Sequence, residues 1–368
     1  MMACGRAMCV LIAAGGTGGH VIPALEVGRE LRAKGLECVF VGTARGLENR
    51  LVPTAGFELC RVPSGALNRV SLQRRFKTLL TAPSGIAAAV ALVQCRRPCA
   101  VLSLGGYAAG PLVLACALLD VPLVVLEPNA TPGLANRLAA PVARRVLVCH
   151  PRAATFFRHG SCQFVRLPVR REFFEQPARR ERAPFTVLIL GGSQGATRLN
   201  RAAVGAVHSW RRRGLPVPRL VHQTGPRELE AVRRSYREEG VDAETAAFFD
   251  DMPKRFGAAD LVICRAGASA IAELCAVGRP SVLVPFPHAA HDHQRANAKT
   301  VAEAGGALLV ADSEWTGDRM AGLVESLASD RPRLRSMAAA TAHLAPRGAT
   351  EAVAAAVLRA ATSREEGA

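Results

Sequence analysis

Two stretches of this chain combine residue types and spacing that can do chemistry. The first reads Val10-Leu-Ile-Ala-Ala-Gly15-Gly-Thr-Gly-Gly-His20; the second reads Thr186-Val-Leu-Ile-Leu-Gly191-Gly-Ser-Gln-Gly-Ala196. Each is a short apolar run that enters glycines and then opens a helical pattern. Glycine permits positive φ and leaves room for a ligand against the backbone. The free N–H groups of the following helix then face an anion, usually a phosphate. The repetition predicts two nucleotide-fold domains with a phosphorylated substrate between them. His20, at the mouth of the first turn, can cap the helix, act as a general base or donate to a phosphate.

Other motifs follow apolar runs in the same way. Leu104-Gly-Gly-Tyr-Ala-Ala-Gly-Pro111 is a third glycine turn, either a second wall of an anion site or a close helix–strand contact. Glu127-Pro-Asn129 follows Leu123–Leu126. Strand ends of open α/β sheets are where ligands bind; a carboxylate there can accept a proton and an amide can bind a sugar hydroxyl. Arg265-Ala-Gly-Ala-Ser-Ala-Ile-Ala-Glu273 places small residues at a helix start, where a diphosphate can approach the amides. The Glu273 carboxylate can then bind the hydroxyls of a ribose. His288-Ala-Ala-His-Asp-His-Gln294 has the composition of a metal cluster, but its spacing matches no common helical ligand pattern. Polar contacts to a sugar suit it better, and no metal site is expected. The 11 cysteines are scattered and complete no zinc site. They read as small buried hydrophobes in a reducing compartment.

Several function classes are disfavoured. A dinucleotide fingerprint needs an acid at the tip of the second strand. That strand ends Phe40-Val-Gly-Thr43, which argues against a nicotinamide-dependent oxidoreductase. The Gly-Lys-Ser/Thr ending of a P-loop is missing. The net charge of +17 admits nucleic acid, an anionic membrane surface or anionic substrates. Aromatic stacking platforms for nucleic acid are lacking, so none is expected as a partner. The segment Arg69 to Arg97 mixes basic and apolar residues; it can lie on an anionic bilayer or form the solvated face of a core helix. Ala100 to Leu119 is uncharged and about as long as a bilayer span, ~20 residues. Gly105, Gly106, Gly110 and Pro111 divide it into a strand, Ala100–Leu104, and a helix starting at Pro111. No transmembrane helix is expected.

The 368 residues suffice for two domains. Strands are predicted at Cys9–Ala14, Glu37–Val41, Ala100–Leu104, Leu123–Leu126 and Arg145–Cys149. A second series covers Thr186–Leu190, Arg219–Gln223, Ala246–Phe249, Leu261–Cys264 and Ser281–Pro285. Helical patterns lie between them, including Leu72–Arg96 with a break at Pro83. Apolar strands alternating with helices predict doubly wound parallel sheets, twice over. Leu167 to Pro184, rich in proline and arginine, reads as an interdomain linker. Domains are expected at 1–167 and 168–344, with a C-terminal helix over about 345–368 that can pack back on the first.

Taken in order, Gly-Gly-Thr-Gly-Gly-His, Gly-Gly-Tyr-x-x-Gly-Pro, Glu-x-Asn, Pro-Val-Arg, Gly-Gly-Ser-Gln-Gly-Ala, Phe-Asp-Asp-Met, Arg-x-Gly-Ala and Asp-His-Gln-x-x-Asn-Ala resemble the MurG family of peptidoglycan glycosyltransferases. The resemblance runs from about Val10 to beyond Asn297. It implies a GT-B fold, with two Rossmann-like domains facing across a cleft. It also implies an inverting transfer of N-acetylglucosamine from UDP-N-acetylglucosamine to the muramoyl 4-hydroxyl of lipid I, giving lipid II. No cofactor is implied. The partners would be the two substrates and an anionic membrane surface, held peripherally at the cytoplasmic face of the bacterial inner membrane. Other GT-B UDP-sugar enzymes, a glycolipid glycosyltransferase or a UDP-N-acetylglucosamine epimerase, are the nearest alternatives.

Carried over by residue, the resemblance puts Thr17, Gly18 and Gly19 at the sugars and the acceptor diphosphate. It puts Asn129 on N-acetylglucosamine and Arg170 on donor phosphate or uridine. Ser193 would bind donor phosphate, and a backbone group of Phe249 would read the uracil edge. Ala268, Ser269, Ala270, Ile271 and Ala272 form the helix start at the phosphates, with Glu273 on the ribose and Gln294 on a sugar. His20 and Glu127 are the candidate bases. The chain departs from the family's usual residues at Leu126, Pro128, Leu167 and Ala109.

Overall fold

The computed structural model describes residues 8–16, 18–44, 46–65, 72–106, 108–157, 162–177, 184–289 and 292–362, with backbone alone for 72–80. Thr17, Tyr107 and His291 lie outside the described residues, as do 178–183 of the arginine-rich run and the end from Ser363. The chain divides into two compact units, Met1–Val169 with Arg347–Ala368, and Arg170–Pro346.

The first unit begins β1 (Cys9–Ala13), α1 (Gly18–Ala33), β2 (Glu37–Gly42), α2 (Glu48–Thr54), β3 (Glu58–Arg61) and α3 (Leu72–Arg96). It continues β4 (Ala100–Ser103), α4 (Ala109–Leu118), β5 (Leu123–Glu127), α5 (Leu134–Ala139), β6 (Arg145–Val148), α6 (Pro151–Ala154) and β7 (Cys162–Phe164). The second unit begins β8 (Thr186–Leu190), α7 (Thr197–Arg212), β9 (Arg219–Gln223), α8 (Leu229–Glu238), β10 (Glu244–Ala246) and α9 (Met252–Ala258). Then come β11 (Leu261–Cys264), α10 (Ala268–Val277), β12 (Ser281–Leu283), α11 (His293–Glu303), β13 (Ala307–Leu309), α12 (Gly317–Ser329) and α13 (Arg331–His343). Last is α14 (Ala349–Thr362), which belongs to the first unit.

Both sheets are wholly parallel. Their strand orders are β3-β2-β1-β4-β5-β6-β7 and β10-β9-β8-β11-β12-β13. Strands such as Cys9-Val-Leu-Ile-Ala are apolar on both faces because helices cover both. In the first unit, Val10, Ile12, Leu102 and Val124 pack with α1, and Val353 and Val357 of α14 complete that core. On the other face Leu11 and Val101 meet Ala89 and Val93 of α3 and Leu112 of α4. The second core joins Val187, Ile189 and Ile263 to Trp210 and to Met320 of α12.

Several sequence expectations are corrected. The helix Leu72–Arg96 is not broken at Pro83. A proline removes one backbone bond, and docking of the C-terminal half through Ala89 and Val93 sustains the rest. The helix expected from Pro111 begins at Ala109. The strand expected at Ala246–Phe249 lies at Glu244–Ala246, where it pairs with β9. Beyond it the Phe249 N–H turns to the Gln223 side chain instead of a ladder partner. The edge strands β3 and β7 and strand β13 have no counterpart in the sequence reading. Each is three or four residues long with weak patterning. Residues 170–177, read as linker, are packed: Phe173 is fully buried and meets Phe256 edge-on at 5.6 Å between centroids.

Phe40 is fully buried, and its ring centroid lies 5.0 Å from that of Phe57. Truncation to alanine is expected to destabilise the first unit by about 3–5 kcal/mol. Urea denaturation monitored by circular dichroism checks this.

Candidate active site

Ligands of open parallel sheets bind where strand order reverses. In the first unit that point lies between β1 and β4. The turn after β1 contains Gly16 at φ +92°, and the turn after β4 contains Gly105 and Gly106 at +90° and +85°. A Cβ on Gly106 would collide with the Gly15 backbone, so only glycine lets the two turns touch. Gly18, Gly19 and His20 then start α1. The His20 ring is partly exposed, while its Nδ1 is shielded from solvent. Burial pulls its pKa below the usual 6.5, partly offset by the Gly15 backbone. A neutral imidazole able to take a proton results.

Glu127 ends β5 and is 1% exposed. Its Oε1 accepts from the Asn129 N–H (2.9 Å) and the Asn129 side chain (3.2 Å). Its Oε2 accepts from the Gly133 N–H (3.1 Å) and the Asn136 side chain (2.9 Å). Burial raises its pKa and these donors counter the rise. Both oxygens therefore shape the loop that carries Asn129.

In the second unit the order reverses between β8 and β11. The turn after β8 holds Gly192 and Gly195 at φ +84° and +79°, with Ser193 half-buried and unbonded among the described residues. Gln223 joins two loops: its Nε2 donates to the Gly192 carbonyl (3.2 Å) and its Oε1 accepts from the Phe249 N–H (3.0 Å). The Phe249 N–H is thus already engaged. After β11, α10 starts at Ala268 without a side-chain cap at Gly267, the kind of end whose free amides can face an anion. Ser269, Ala270 and Ile271 of its first turn are partly exposed, and Ala272 is buried. Asn297 holds the Ala266 carbonyl (3.2 Å), and Arg265 bonds the Val284 and Pro285 carbonyls (3.0 and 3.1 Å), fixing the approach to the helix.

Glu273 lies further along the same helix. Burial pushes its carboxyl up to about 7, and the charge of Arg170 pulls the other way. The Arg170 guanidinium stacks over Phe173 at 5.0 Å, and its shielded Nε has no partner among the described residues. Gln294 spends its Oε1 on the Phe286 N–H (2.9 Å), which leaves its NH2 group to donate. Among the described residues no group of three or more His, Cys, Asp or Glu could hold a metal, and His288 and His293 join none.

The described candidate residues therefore fall into two groups, one per unit, most of them beyond the carboxyl ends of the strands. Sequence reasoning passed over Glu48, Asn136, Gln223 and Asn200. Asn200 is 1% exposed and reaches Thr224, Glu228 and His222, which in turn meets Tyr236 at 2.8 Å. Burial holds His222 neutral, with its pKa down to about 3. These residues lie in no motif; their partners are distant in sequence.

The raised Glu273 pKa carries a sign for stability. The folded protein holds this proton more tightly than the unfolded chain. The contribution is full below about 4.5 and lost as pH rises through about 7. Glu273→Gln is expected to shrink the stability difference between pH 5 and pH 8 by on the order of 2 kcal/mol. Parallel urea titrations at the two pH values measure it.

Residues 10–148 match the glycosyltransferase family 28 N-terminal domain, and 186–354 match the family's C-terminal domain. A Solibacter usitatus (strain Ellin6076) protein named UDP-N-acetylglucosamine–N-acetylmuramyl-(pentapeptide) pyrophosphoryl-undecaprenol N-acetylglucosamine transferase is 45% identical, covering 89% of this chain and 90% of its own. A protein of the same name from Sorangium cellulosum (strain So ce56) is 42% identical over 95% of this chain and 87% of its own. The crystal structure of Acinetobacter baumannii MurG superposes with a TM-score of 0.77 at 30% identity, covering 96% of this chain and 99% of that one. A kitacinnamycin glycotransferase, at 18% identity and a TM-score of 0.69, shares the fold. The two doubly wound units are those of a GT-B glycosyltransferase, and the chain belongs to glycosyltransferase family 28, in its MurG family of N-acetylglucosamine transferases.

Proposed function

We propose that this enzyme moves N-acetylglucosamine from UDP-N-acetylglucosamine to the muramoyl 4-hydroxyl of lipid I, yielding lipid II for peptidoglycan synthesis. The observation that carries the reading is the unequal chemistry of the two sheet reversals. The second offers Ser193, the uncapped start of α10, Arg170 and the Glu273 carboxyl, a set suited to a nucleoside diphosphate. The first offers glycine turns, a neutral imidazole and an amide, suited to an attacking hydroxyl and a sugar. The names of the relatives supply the identities of donor and acceptor.

In this reading the 4-hydroxyl attacks the anomeric carbon from the face opposite UDP and inverts it. His20 takes the proton of the attacking hydroxyl. Glu127, fully occupied by its donors, positions Asn129 against the transferred sugar. Negative charge grows on the leaving diphosphate, where the α10 amides, Ser193 and Arg170 stabilise it. Gly18 and Gly19 line the acceptor side, Phe249 reads uracil through its carbonyl, and Gln294 donates to the sugar.

The acceptor is a lipid, and the surface suits a peripheral hold on a bilayer at the cytoplasmic face. Neighbouring helices α4 and α5 expose Leu114, Leu118, Leu134 and Leu138, at 49%, 69%, 39% and 65%, beside Arg137. No helix of the described residues is long and apolar enough to cross a membrane. Apolar side chains beside cations suit an anionic bilayer.

Radiolabelled transfer to a soluble lipid I analogue tests the reading; failure with that acceptor while another UDP-sugar reaction proceeds would overturn it. His20→Ala is expected to lower kcat at least 100-fold, the scale of general-base catalysis, with UDP affinity retained. UDP affinity is expected to rise between pH 6 and pH 8 as Glu273 ionises, and Glu273→Gln to flatten that rise; calorimetry at three pH values reads both. Leu118→Glu with Leu138→Glu is expected to release the protein from phosphatidylglycerol vesicles in a sedimentation assay.

A further inference from the structure

Glu48 is the first residue of α2 and is fully buried. Its Oε2 accepts from the Gly16 N–H (2.9 Å) in the first glycine turn. Its Oε1 accepts from the Thr43 N–H (3.2 Å) and the Thr43 hydroxyl (3.1 Å) at the tip of β2. Three glycines make room for it. A Cβ on Gly15 would stand 3.1 Å from Oε1, one on Gly42 would stand 2.7 Å from Cγ, and one on Gly46 would overlap Oε2. The Leu47 N–H also reaches the Gly16 carbonyl (3.4 Å), and Asn49 holds the Thr43 carbonyl (3.0 Å). A buried carboxylate is costly unless donors surround it, and here the donors come from two loops that sequence separates.

We propose that Glu48 is a positioning residue for the acceptor side of the reaction, a claim that rests on the acceptor reading of the first glycine turn. Its carboxylate takes the place of an external anion at Gly16. It ties the turn to β2 and so sets where Gly18, Gly19 and His20 begin α1. The acceptor diphosphate must then use amides beyond Gly16, because that donor is already spent. Among the described residues no carboxylate bonds the second glycine turn: Gln223 holds the Gly192 carbonyl, and Glu228 accepts from Asn200. The effect should therefore fall on the acceptor and spare the donor.

The test uses the full chain with Glu48→Gln, Thr43→Val and Thr43→Ser. Glutamine turns an NH2 toward one of the donors; valine removes the hydroxyl; serine keeps it. For Glu48→Gln, kcat/KM for a soluble lipid I analogue is expected to fall at least tenfold, with UDP affinity by calorimetry within twofold of the parent. Thr43→Val should fall about threefold and Thr43→Ser should restore the parent value. Hydrogen exchange of the peptide spanning 10–20 should quicken in Glu48→Gln and Thr43→Val alone. Equal losses toward acceptor and UDP, or unchanged kinetics in variants that fold, would overturn the proposal. If the parent itself fails to use the acceptor, the acceptor reading fails. Unchanged exchange would instead show that Glu48 does not hold the turn.

Discussion

In a wholly parallel sheet every connection leaves the carboxyl end of one strand and returns to the amino end of another. Where chain order runs outward in both directions from a central pair, two connections leave on opposite sides and a crevice opens between them. That constraint acts twice here, at β1/β4 and at β8/β11. It explains why residues from sequence positions as distant as Gly16 and Gly106, or Ser193 and Glu273, lie at the same end of one sheet. The helices pay the packing cost of burying both faces, and the strand-end loops are left to vary.

The two crevices share a plan and differ in occupancy. In the first, an internal carboxylate and a second glycine turn crowd the loop after β1. In the second, a neutral amide, Gln223, braces the loop after β8 through its carbonyl, and the Ser193 hydroxyl remains unbonded among the described residues. In the first turn the Gly16 N–H is already spent on a carboxylate, whereas in the second the brace takes up a carbonyl and leaves the amides free of any internal anion among the described residues. Repetition of the fold thus yields two sites with different electrostatic appetites, and a transfer reaction needs such a difference.

Much of this was legible in the residues alone. The apolar runs at Val10 and Val187, the glycines after them and the small-residue helix start at Ala268 report local backbone requirements that a sequence displays directly. The strands at Glu58, Cys162 and Ala307 were illegible because three or four residues at or near an edge need no strong pattern. Glu48 and Gln223 were illegible for another reason. Their bonds span 32 and 31 residues, and each looks like an ordinary polar residue until the sheet assembles. Glu127 was legible as a candidate site residue, but the four donors on its carboxylate, drawn from Asn129, Gly133 and Asn136, were not.

The return of α14 to the first core has a consequence for how the chain is made. The second unit is contiguous, Arg170–Pro346, whereas the first needs Val353 and Val357 to close one face of its sheet. As the chain leaves the ribosome, the second unit has all its core residues in hand before the first does. Until the whole of the neighbouring unit has been made, the first sheet lacks the α14 side chains that cover part of one face. The two cores therefore acquire their last residues in the reverse of the order in which their first strands are made.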